Sequence, residues 1–196
     1  MIVRPLGVVE PLPLTVVRTG QTPVRQGEPC GDLWVVESGV FRAAIVDREG
    51  RSFVIDLLGP GDAIGQPDGL VSPWTATALR PARVRTVVGS HAAALLSARV
   101  ERATRVAAEL AWFGVADRIE RRLLDLARRL GRPVPGGDAI GVRLTQDDIA
   151  TMVGASREST NRAIRGLIAR GVLDVQSRGR YVVRTQLRLV PDTSSL

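Results

Sequence analysis

Lysine is absent: all 27 basic residues of this 196-residue chain are arginine. One cysteine, Cys30, excludes an intramolecular disulfide framework, and no apolar run reaches the roughly 18 residues of a membrane-spanning helix. One histidine, His91, and no clustered acids in the strand-like segments leave no metal site and no acid–base pair. No catalytic residue, metal ligand or cofactor is therefore assigned, and the chain reads as a non-enzyme. The opening segment, Met1 to Gly7, holds Arg4 and Pro5 without a following apolar core, so it is no signal peptide and a cytoplasmic location is expected.

The charge that is present is uneven. The total is +7, with residues 1–90 neutral, 91–137 at +4 and 138–196 at +3. A basic C-terminal half suits a nucleic-acid partner, and arginine is the side chain best shaped for bidentate contacts to guanine or phosphate.

Glycine punctuates short β-rich runs in the first 90 residues: 15–18, 33–36, 40–46, 52–57 and 83–88, with Asp47 to Arg51 as a hairpin loop. Strands at this spacing indicate an antiparallel sandwich or barrel. From His91 to Leu130 no proline occurs, and Leu95, Leu96, Arg99, Val100, Ala103, Val106, Ala107 and Leu110 recur at helical steps, with Arg102, Arg105 and Glu109 elsewhere on the helix. Gly114 marks a boundary, and a further helix runs from Asp117 to Leu130. Residues 131–137, rich in proline and glycine, read as a loop.

Thr145 precedes the apolar-periodic Ile149, Ala150 and Val153 and has Asp148 three positions on, a variant of the capping box. Gly154-Ala155-Ser156 breaks that helix. Ser156 then caps a second helix with Thr160, Ile164, Leu167 and Ile168 inward, and Gly171 ends it. Two short helices joined by a tight glycine-containing turn describe a helix-turn-helix, and residues 172–175 and 181–183 flank a basic hairpin tip that reads as a wing.

The segment Gly154-Ala155-Ser156-Arg157-Glu158-Ser159-Thr160-Asn161-Arg162 resembles the recognition segment of the CRP/FNR family of bacterial transcription regulators. Gly27-Glu28, Gly39, Gly50, Gly59-Pro60-Gly61-Asp62 and Gly65 fall at the intervals of that family's β-roll. The resemblance implies an α+β protein: an N-terminal antiparallel, jelly-roll-like β-roll over 1–90, a dimerisation helix over 91–116 and a C-terminal winged helix-turn-helix over 117–190. It implies a homodimer on double-stranded DNA, with a TGTGA-like half-site and its inverted repeat, and RNA polymerase as a further partner where binding activates. Arg157, Glu158, Asn161 and Arg162 match the base-reading positions. Thr145, Ser156, Ser159 and, in the wing, Arg178 and Arg180 are assigned to phosphates.

The effector pocket departs from the family's cyclic-nucleotide branch. There a Gly-Glu pair holds the ribose and an Arg-Ser-Ala segment holds the cyclic phosphate; here Gly65-Gln66 and Trp74-Thr75-Ala76 take those places. Trp74 puts an indole where the positive charge belongs, so cyclic AMP is not expected to bind in the usual way. The roll is either filled by its own Leu70 and Trp74 or used by another effector, with Arg80 as a candidate recruit. A lone cysteine cannot hold an iron–sulfur cluster, and a haem would have only His91 and a non-histidine ligand.

Overall fold

In the computed structural model residues 12–67, 69–176 and 179–184 are described; Arg178 of the expected wing and the tail from 192 lie outside them. Seven strands form two antiparallel sheets. The strands are β1 Leu14–Val17, β2 Leu33–Ser38, β3 Phe41–Val46, β4 Ser52–Leu58, β5 Ala63–Gly65, β6 Thr75–Ala78 and β7 Ala82–Thr86. One sheet runs β1-β7-β2-β5 and the other β4-β3-β6. Their facing residues, among them Val17, Val36, Phe41, Ile64, Trp74, Ala76 and Val84, make one buried cluster. The alternation of β6 and β7 turns Ala76 and Val84 inward.

Two tight features set this sandwich. Between β3 and β4 the Asp47 carboxylate accepts from the Glu49 and Arg51 amides and closes the loop. Between β2 and β3, Gly39 has φ +93°, and a β-carbon there would collide with Ala82. Only glycine allows β7 to pass so close.

Helix α1 covers Gly89–Trp112 and buries none of its side chains completely, while α2, Val115–Leu130, buries Ile119, Arg122, Leu123, Leu126 and Ala127. Beyond α2 come β8 Gly131–Val134, β9 Gly137–Ile140, α3 Gln146–Met152, α4 Arg157–Ala169, β10 Leu173–Gln176 and β11 Arg180–Arg184. The last four strands pair in the order β10-β11-β9-β8. The apolar core of this half continues into the roll: Val40, Val54 and Leu57 join Ile119, Leu123, Leu126, Met152 and Leu167.

Several expectations are corrected. Residues 131–137 are not a loop but most of a hairpin, because β8 is an edge strand where Pro133 sacrifices no ladder bond and Gly136, at φ +88°, makes the turn. The first helix ends at Trp112 rather than at 116. Ile168, expected inward, is 39% exposed, since α4 ends at Ala169 before the chain turns into β10. Leu70, 56% exposed, does not fill the roll.

Candidate nucleic-acid interface

Local chemistry builds the helix-turn-helix. The Thr145 hydroxyl accepts from the Asp148 amide at 3.0 Å, and the Asp148 carboxylate accepts from the Thr145 amide at 2.9 Å, completing a capping box at the start of α3. Gly154, at φ +61°, turns the chain. Ser156 then accepts from the Ser159 amide at 3.1 Å and caps α4. Thr160, Ile164 and Leu167 pin the inner face of α4 in the core, and Gly171, at φ +71°, ends the helix.

Fixing that face leaves the opposite one outward. Arg157 and Arg162 are more than two-thirds exposed, as is Glu158, and they rise from the first two turns of α4. Each arginine is held by an acid: Arg162 pairs with Glu158 at 2.8 Å and Arg157 with Asp147 at 3.4 Å. The Asn161 side-chain oxygen Oδ1 accepts from Nε2 of the Gln146 side chain at 2.9 Å, which ties α4 to the first turn of α3. Exposed pairs of this kind are worth under about 1 kcal/mol, so a phosphate or base edge can replace them. The Thr145 and Ser156 hydroxyls are engaged by their own caps, with Thr145 donating to Asp148 and Ser156 to Ser159. Arg180 begins β11 beside the wing tip.

In the roll, Trp74 is 7% exposed and Ala76 fully buried. The Thr75 hydroxyl accepts from the Gln26 amide at 3.0 Å, and Gly65, at φ +83°, sits where a β-carbon would strike the Asp32 carbonyl. The cation beside the indole comes from α1, not from Arg80, which lies near Gly141 in the C-terminal half. It is Arg99, whose guanidinium reaches the carbonyls of Ala63 and Gly65 at 3.1 Å each. Burial first, then the neighbouring Arg102, lowers its pKa. Between β4, β5 and α1 a cavity of about 240 Å³ remains, lined mainly by apolar groups such as Phe53, Ile55, Leu95 and Val106.

Arg102, expected away from the apolar face of the helix, belongs to the site. The side chain points instead at the roll, where it meets Asp56 and Asp62. The available signal was helical phase, since Arg102 follows Leu95 and Arg99 at steps of four and three.

Two family profiles match the chain: "Cyclic nucleotide-binding domain" over residues 14–100 and "Crp-like helix-turn-helix domain" over 117–189. The chain belongs to the CRP/FNR family. Among curated relatives, the "CRP-like cAMP-activated global transcriptional regulator" of Mycobacterium tuberculosis is 28% identical over 176 residues, 81% of this chain and 79% of the relative. The "cAMP-activated global transcriptional regulator Vfr" of Pseudomonas aeruginosa is 26% identical over 187 residues, 84% and 86% of the two chains. A CRP/FNR regulator of Thermus thermophilus shares the fold at TM-score 0.75 and 23% identity, covering 87% of this chain and 93% of that one. This CRP/FNR chain is accordingly a transcription regulator with a DNA-binding helix-turn-helix, not an enzyme. Among the described residues, no helix is long and apolar enough to cross a membrane.

Proposed function

We propose that this regulator is a cytoplasmic homodimer that reads an inverted repeat of a TGTGA-like half-site, and that it does so without cyclic AMP. The observation that carries the reading is the outward strip of Arg157, Glu158 and Arg162 on a helix capped at its start and anchored along its inner face. Each arginine can offer two donors to guanine O6 and N7, and Glu158 can accept from cytosine N4. Asn161 completes the base-reading set. Ser156, Ser159, Thr145, Arg178 and Arg180 are assigned to the phosphates, with Thr145 and Ser156 exchanging a cap bond for a phosphate one.

Dimerisation is supported by α1. It has no fully buried side chain, and it exposes Val100, Leu110 and Trp112 at 65%, 40% and 72%. A twofold axis along this helix would cover that surface and present two recognition helices to two half-sites. Independence from cyclic AMP is supported by the buried Trp74 and by Arg99, two of whose donors go to backbone carbonyls.

The test is an anisotropy titration of the protein on the inverted-repeat duplex and on a scrambled duplex, with and without cyclic AMP, at fixed salt. Selective binding that nucleotide does not alter is expected. Selectivity only with nucleotide would refute the pocket reading, and equal weak binding to both duplexes would refute the site. The cavity beside α1 favours one alternative, an effector-gated regulator that senses a different small molecule. Selectivity gained only on adding a small-molecule cell extract would decide for it.

A further inference from the structure

The link between α1 and α2 is two residues, Phe113 and Gly114, and Gly114 starts α2 without a side-chain cap. Near the link the angle is held by Arg118, which donates to the Leu110 carbonyl at 3.3 Å, and by Arg121, whose guanidinium lies 3.9 Å from the Phe113 ring centroid. These contacts sit at the pivot and have little leverage on the far end of α2.

Leverage comes from a buried cluster on the roll. Asp56 on β4 and Asp62 before β5 are 6% and 7% exposed. Arg102 of α1 reaches both, at 3.0 Å to Asp56 and 2.5 Å to Asp62. Arg129 of α2 also reaches both, at 2.8 Å and 3.0 Å, and pairs with Asp125 at 2.8 Å. Arg122 adds a longer contact to Asp56 at 3.6 Å. The carboxylates are further fixed by the amides of Leu57 and Gly59. Burial opposes the charge on Arg129, but Asp56, Asp125 and Asp62 outweigh it and raise its pKa. Counted along the helices at 1.5 Å per residue, Arg102 lies about 15 Å and Arg129 about 20 Å from the link. Two guanidiniums on two helices thus close a triangle on one pair of roll carboxylates.

We propose that Asp56 and Asp62 are positioning residues that fix the half-site spacing the dimer reads. They touch no DNA. By setting the angle between the helix that carries the twofold axis and the helix that opens the DNA-binding half, they set how far apart and at what tilt the two α4 helices lie. Bidentate guanidiniums suit this role, because a planar fork that bridges two carboxylates resists rotation as well as separation. The apolar contacts of Leu57 and Val54 with the same half hold it on the roll but do not impose such directional geometry. The inference rests on the dimeric reading above.

The experiment measures affinities of the full-length protein, Asp56→Asn and Asp62→Asn on duplexes whose two half-sites are moved apart one base pair at a time, together with a single half-site and its guanine-substituted version. Wild type is expected to prefer one spacing by roughly tenfold or more, about 1.4 kcal/mol, and the variants to flatten that preference while keeping guanine discrimination on the single half-site. Because removing one partner of a buried pair can unfold a protein, Arg102→Gln and Arg102→Lys, at a less buried position, decide the matter if the aspartate variants do not fold. Glutamine should flatten the preference; lysine, a point charge that cannot bridge both carboxylates, should restore it only in part. Folded variants that keep the wild-type spacing preference would overturn the inference. Wild-type protein indifferent to spacing, yet selective on a half-site, would overturn the dimeric reading and the inference with it.

Discussion

Arg99 stacks on Trp74, its guanidinium carbon 5.3 Å from the ring centroid. A cation–π contact of this kind is worth about 0.5–2 kcal/mol, more as water is excluded. On the reading proposed above, it fills with the protein's own side chains the place a cyclic phosphate would need. Isothermal titration calorimetry should therefore give no binding heat with cyclic AMP. Trp74→Ala should cost about 3–5 kcal/mol in denaturant unfolding, since an indole of the roll core is removed.

The capping box of α3 predicts a local cost. Asp148→Ala removes the acceptor for the Thr145 amide, and Thr145→Ala removes the acceptor for the Asp148 amide. Each should lower stability by about 1 kcal/mol in urea melts, and the double variant should lose less than the sum, because the two residues form one unit.

Gly39→Ala is expected to be far worse than a surface change. The residue would be left-handed at φ +93° and its β-carbon would meet Ala82. A loss of about 2 kcal/mol or more is expected from equilibrium unfolding. Gly20→Ala is the control: its φ is +82°, but nothing lies within 4 Å of the added carbon. It should show only the backbone part of the cost, about 1–2 kcal/mol.

Tyr181 is the only tyrosine, so phenolate absorbance reports it alone. Burial in the C-terminal core raises its pKa above the ordinary 10.0. The sign follows from which state holds the proton more tightly. The folded state does, so stability is intact below about pH 10 and falls as pH climbs from there through the folded value. A spectrophotometric titration should place the folded midpoint above that of the denatured chain, and Tyr181→Phe should remove this contribution to the alkaline decline.

Legibility in the sequence differs between the two halves for physical reasons. The helix-turn-helix is readable because its signals are local: Thr145, Asp148 and Ser156 act within three residues, and the apolar steps of α4 repeat within 13. The strands β5 and β6 are not anticipated, because Ala63–Gly65 and Thr75–Ala78 are three and four residues long, too short for a period of two to stand out from the turn-rich chain around them. The β8–β9 hairpin is hidden by proline and glycine that an edge strand tolerates. A tryptophan at position 74, in the segment where the family's cyclic-nucleotide branch has its arginine, is legible from one position, whereas Arg99 as its partner is not. Nor is the meeting of Arg102 and Arg129 on Asp56, across 46 and 73 residues of chain. Such encounters depend on how α1 and α2 fold back over the roll.

Base reading by α4 is tested most directly by Arg157→Ala. The variant and the wild type are titrated, at one salt concentration, on the TGTGA inverted repeat and on versions in which single guanines are replaced. Arg157 is exposed, and its partner Asp147 is also at the surface, so the fold should survive. The account predicts that wild type loses about 1–3 kcal/mol on replacement of the guanine that Arg157 reads, and that the variant becomes indifferent at that position while still distinguishing the others. A variant that binds the intact repeat as well as wild type does, with the same preference at every position, would contradict it.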